Sequence, residues 1–150
     1  MNHIDEGLWI LEKIGATDAA KRAYALHPIV QDDSALLDFT NSGDVEKVDK
    51  HVLLLAMEYR WVANSYLSYH PSRPLDQIKL SPLEEVKQML IADKVQNRKD
   101  FETYHLGTHQ HSDRLQIYFS EWLDRLGISE TQYQALVYEI KLATGQPMTK

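Results

Sequence analysis

Along this chain, apolar residues recur at intervals of three and four in six or seven stretches, and none shows the strict alternation of a half-buried strand. Ile4, Leu8, Leu11 and Ile14 mark a first helix that Asn2 caps and Gly15 ends. Thr17 caps a second, which should stop near Leu26, because Pro28 disfavours helical geometry at His27. A short helix over Ser34 to Phe39 precedes a break at "TNSGD". A long helix follows from Val45 to Tyr69, with one stripe formed by Val52, Leu55, Ala56, Tyr59, Val62, Ala63 and Tyr66. Leu54 and Trp61 lie off that stripe, so this helix is expected in the middle of the core.

The loop "YHPSRPLDQIKL" is the longest in the chain and reads as a rim or lid. Ser81, Pro82 and Glu84 then supply an N-cap, a proline at the first helical position and a capping-box acid, for a helix reaching about His105. Leu115, Phe119, Trp122 and Leu126 mark the next helix before Gly127. Ser129 and Gln132 repeat the capping box for a last helix ending at Gly145. The expected fold is all-α, a single compact bundle of six to seven helices over residues 1–150.

One helix breaks its own pattern. Along the face of Leu83, Val86, Leu90 and Phe101 stand two polar residues, Asp93 and Asn97. A buried carboxylate needs a cation, a metal or several hydrogen-bond donors. An arginine or the end of a neighbouring helix would meet that need. So would His3, in the first turn of the first helix, and His27, at the end of the second: antiparallel packing across "GAT" brings both imidazoles to one end of the pair. Two imidazoles and a carboxylate suit Zn, Mn or Fe. A further group, His105, His109 and His111 in "YHLGTHQHSD", is either a second transition-metal set or three exposed histidines.

Composition narrows the setting. With 150 residues, 43% hydrophobic, 6 glycines and 5 prolines, the chain can bury a sizeable core. Its net charge of -6, with no Lys/Arg cluster, gives duplex nucleic acid no footprint. Zero cysteine removes disulfide and thiolate chemistry. Acids replace a leader's basic start in "MNHIDEGLW", and the longest apolar run, "VLLLAM", is too short to span a bilayer. The expectation is a soluble cytoplasmic protein with no membrane partner. No Gly-rich phosphate loop or serine nucleophile motif is present.

His3, then His27 in "ALHPIVQDD", then Asp93 in "IADKVQN", resemble in their order the HD-domain superfamily of all-helical metal-dependent phosphohydrolases. Those enzymes carry a histidine, a His-Asp pair and a distant aspartate. The two segments are similar to "LLHDVIEDT" and "LADRLHN" of the alarmone hydrolases, which remove pyrophosphate from guanosine tetra- and pentaphosphate. The resemblance covers roughly residues 1 to 105. It implies an HD-like fold, a divalent metal (Mn, Fe or Zn) on His3, His27 and Asp93, and a nucleotide or other small phosphorylated molecule as ligand. Two departures stand out: Pro28 replaces the Asp of the His-Asp pair, and Gln31 replaces a Glu that positions the attacking water, leaving Asp32 from that acidic pair.

By this reading Asp32 orients or deprotonates the water, with Gln31 beside it in the catalytic set. Arg60 clamps a phosphate, and Asn64, Asn97 and Lys99 are further substrate contacts. A salt bridge to Glu58 or a neighbouring helix is the simpler account of Arg60, and a solvated charged flank explains Lys99 equally well. Two functions fit: a divergent HD-type phosphohydrolase, or a catalytically inactive HD-like module that binds a nucleotide or a protein partner.

Overall fold

The computed structural model describes residues 2–68 and 78–148. Among them are seven α-helices and no strand: α1 His3–Lys13, α2 Asp18–Val30, α3 Asp33–Asn41, α4 Lys50–Ser65, α5 Glu84–Asp100, α6 Ser112–Arg125 and α7 Glu130–Thr144. The all-helical bundle expected from the pattern is the fold observed. No helix among the described residues is long and apolar enough to cross a membrane.

Local signals place most ends. Asn2 Oδ1 accepts from Asp5 N, and Thr17 Oγ1 from Ala20 N, opening α1 and α2. Ser129 and Gln132 form the reciprocal capping box of α7, which ends on Gly145 in the left-handed conformation (φ 67°). Asp32 caps α3, which starts one residue before the expected Ser34 and runs two past Phe39.

Four expectations are corrected. α2 runs on through Pro28 to Val30 instead of stopping near Leu26. Proline removes the amide that would bond the Tyr24 carbonyl, and that carbonyl instead accepts from His27 Nδ1 at 2.5 Å. The long helix does not begin at Val45: a 3₁₀ turn covers Asp44–Lys47, and α4 starts at Lys50, where Asp49 Oδ1 accepts from His51 N and Val52 N. It ends at Ser65, short of Tyr69, which lies outside the described residues. Ser81 does not cap α5; its Oγ accepts from Leu83 N in a turn before the helix starts at Glu84. Most of the anticipated rim loop, residues 69–77, lies outside the described residues.

The fourth correction concerns the centre. α4 buries its predicted stripe, but Leu54 and Trp61 are 53% and 73% exposed, so it is a one-faced outer helix. The centre belongs to α5, where every residue from 89 to 96 is buried and which packs on α1, α2, α4, α6 and α7. Helix α5 ends in a π-helical turn, Phe101–His105. A helix enclosed on all sides buries its polar residues along with the rest, so each of them needs a partner.

Candidate metal centre

The first turn of α1, the last turn of α2 and the middle of α5 converge. His3, His27 and Asp93 each offer one ligand atom, and these atoms lie within 4.8 Å of one another. A tetrahedral ion with ligands at about 2.1 Å sets them about 3.4 Å apart, so side-chain movement of about an ångström closes the set. His105, His109 and His111 form no such group; all three are exposed, and His109 Nδ1 accepts from His111 N.

Gly7 permits the close crossing of α1 and α2 that brings the histidines together. A Cβ there would lie 2.1 to 2.2 Å from the Tyr24 ring and hydroxyl. Tyr24 thus sits against the α1 backbone, its hydroxyl 3.4 Å from His3 Nε2 and its ring 4.7 Å from that of His27.

Both imidazoles are oriented through Nδ1. The Gln96 amide nitrogen donates to Glu6 Oε2 at 3.2 Å and to Asp100 Oδ2 at 2.6 Å, which turns its oxygen toward His3 Nδ1. His3 Nδ1 therefore carries a proton, and Nε2 is the nitrogen turned toward Asp93. The Tyr24 carbonyl does the same for His27. A histidine held by hydrogen bonding at one nitrogen and free at the other is the usual state of a metal ligand. Burial holds the His27 imidazole below its ordinary pKa, against the opposing charge of Asp93, and so favours the neutral ligand form.

Asp93 is almost fully buried. Burial alone would raise its pKa, but Lys94, His27 and His3 outweigh that and hold the carboxyl below its usual range. Beside it, Tyr59 is fully buried with a hydroxyl that completes no hydrogen bond of normal geometry. Burial and then Asp93 hold that phenol well above its ordinary range, so it remains a neutral donor. An ion on these three residues with water in its open positions fits: the donor types match, and the orphaned hydroxyl faces the same carboxylate.

A cleft of about 560 Å³ opens on the cluster, with His3, Asp93, Lys94, Asn97, Gln31 and Tyr118 in its wall. Gln31 and Asn97 thus both line this cleft. The other expected contacts are engaged elsewhere. The exposed Asp32 spends its carboxylate capping α3, bonding Ala35 N at 2.8 Å. Arg60 pairs through Nη2 with Asp33. Asn64 donates to the Gln31 carbonyl at 3.4 Å, so it touches the site only through that backbone. Lys99 is enclosed behind the cleft, bonded to Glu6 at 2.8 Å and to Asp100 and Gln146 at 2.6 Å.

Lys94 went unread in the sequence. Its Nζ lies 3.2 Å from Asp93 Oδ2 and 3.2 Å from the Tyr118 hydroxyl, over the Trp122 ring. The signal was its place three and four residues after the apolar Ile91 and Leu90. No protein family, curated protein or solved structure matches the chain.

Proposed function

We propose that this protein is a divergent HD-type metal-dependent phosphohydrolase, holding a divalent ion on His3, His27 and Asp93 and acting on a nucleotide or another phosphate ester. The observation that carries the reading is the convergence of three ligand atoms from distant parts of the chain, with both histidines oriented through Nδ1. The ion, when bound, supplies Lewis acidity and a water of lowered pKa. The chain's residues do the rest. Gln31 can orient a water from the cleft wall but cannot take its proton, and Asp32 is committed to α3. Asn97 offers an amide to the substrate from the same wall.

A second reading keeps the ion and the phosphate ligand but not turnover. Pro28 and Gln31, where the resembled family has carboxylates, favour it. Purification without chelator, metal analysis by mass spectrometry, and assay with p-nitrophenyl phosphate and nucleoside phosphates in Mn(II) separate the two. Stoichiometric metal and turnover, both lost in Asp93→Asn, support the enzyme; metal with ligand binding but no turnover supports the module. Absence of metal under every loading condition overturns both.

A further inference from the structure

The cleft wall holds a charged group that the metal reading leaves without a task. The Lys94 side chain is 6% exposed, and its ammonium takes one oxygen of the Asp93 carboxylate while the other faces His3 Nε2 at 3.6 Å. The one negative charge on Asp93 is thus matched by the one positive charge on Lys94. Asp100, also on the wall, is held by Gln96 and by Lys99, a cation it shares with Glu6. A dication on this set would therefore have a single carboxylate among its ligands, and would share it with an ammonium 3.2 Å away.

Pro28 adds to the shortage, because no carboxylate follows His27. Buried charge of one sign is unfavourable until something neutralises it. The missing group must be an anion with at least two acceptor atoms, one for the ion and one for Nζ. A phosphoryl group meets this description, and lysine serves as a point-charge phosphate contact. We propose that the site takes its divalent ion and a phosphoryl oxyanion as a coupled pair, with Lys94 as the phosphate contact. This rests on the metal reading above. It replaces Arg60 and Lys99, whose charges are engaged elsewhere, and it makes unhindered phosphoryl oxygens the substrate feature that is recognised.

Coupling is reciprocal, so it can be read from either ligand. The test is calorimetric titration of the metal-stripped full chain with Mn(II), with and without inorganic phosphate. Phosphate should tighten Mn(II) by at least about fivefold, within the usual range for coupled sites. Lys94→Gln should bind Mn(II) more tightly than wild type without phosphate, and should lose the gain from phosphate. Lys94→Arg, which keeps the charge, should retain the gain and serves if the glutamine variant fails to fold. Wild-type Mn(II) binding that phosphate leaves unchanged would overturn the coupling while the metal site stands. No Mn(II) binding with or without phosphate would overturn the metal reading and this inference together.

Discussion

Lys99 Nζ lies 2.8 Å from Glu6 Oε2, with 1% and 2% of the two side chains exposed. Gln146, beyond α7, closes the pair from the other side: its oxygen accepts from Lys99 at 2.6 Å and its nitrogen donates to Glu6 at 2.5 Å. Gln96 joins the same network to His3. Truncating one partner of such a pair leaves a buried charge uncompensated, so Lys99→Ala should destabilise the fold by about 3 to 5 kcal/mol. Chemical denaturation checks this. Lys99→Met with Glu6→Leu should cost less than the sum of the single changes; strict additivity would show that the pair is not coupled.

Gly7→Ala should be among the most damaging of the conservative changes. Glycine inside a helix ordinarily destabilises by about 0.5 to 1 kcal/mol relative to alanine, so its presence in α1 reflects the Tyr24 contact. An added Cβ forces the ring outward, at about 1 to 3 kcal/mol for overpacking. Thermal melting measures that loss, and weaker metal binding should accompany it.

Pro28→Ala separates stability from site geometry. The restored amide can bond the Tyr24 carbonyl, so α2 should gain about 1 kcal/mol or more. Competition for that carbonyl loosens His27, and Mn(II) affinity should fall by about tenfold, as for other lost supports of a ligating histidine. The ¹⁵N shifts of the His27 ring report the tautomer directly. A more stable variant with unaltered tautomer and affinity would show that the proline has no part in orienting the ring.

Glu130 gives a pH signature. Arg98 bonds it through both terminal nitrogens, at 2.8 and 2.9 Å, and holds its carboxyl below the ordinary value of 4.5. The folded state thus binds this proton less readily than the unfolded chain. The contribution is complete above about pH 4.5 and is lost as pH falls through the depressed folded value. The Glu130 side chain is 60% exposed, so the contribution is about 1 kcal/mol or less. The gap in unfolding midpoint between wild type and Glu130→Gln should be widest near neutrality and close in acid.

Ser129 and Ser81 should differ. Ser129→Ala removes a reciprocal box and should cost about 1 kcal/mol. Ser81→Ala removes a single turn contact to Leu83 N and should cost less. Equal shifts in the denaturation midpoint would contradict this ranking.

What the sequence made legible follows from which forces act locally. Asn2, Thr17 and the Ser129 box act within four residues, and each opens its helix as read. Asp49 is as local, but a run of helix-compatible residues across Val45 to Lys50 masked it. Pro28 misled because its effect depends on whether another donor reaches the freed carbonyl, and that donor is the neighbouring histidine ring. His3, His27 and Asp93 were found because an acid on an apolar face demands partners. Arg60, Lys99 and Lys94 could not be sorted, since which lysine or arginine faces a cleft is decided by helices packed from elsewhere: Asp33 claims the first, Glu6 the second, and Asp93 with Tyr118 the third.

Tyr24 touches both histidines, one through its hydroxyl and the other through its backbone carbonyl, and its ring is wedged against Gly7. The two ligands therefore behave as parts of one linkage, with the α1–α2 crossing as its fulcrum. Any change that slides these helices moves both imidazoles at once, so ligand affinity and the stability of that crossing should rise and fall together across a set of variants, even those far from the cleft.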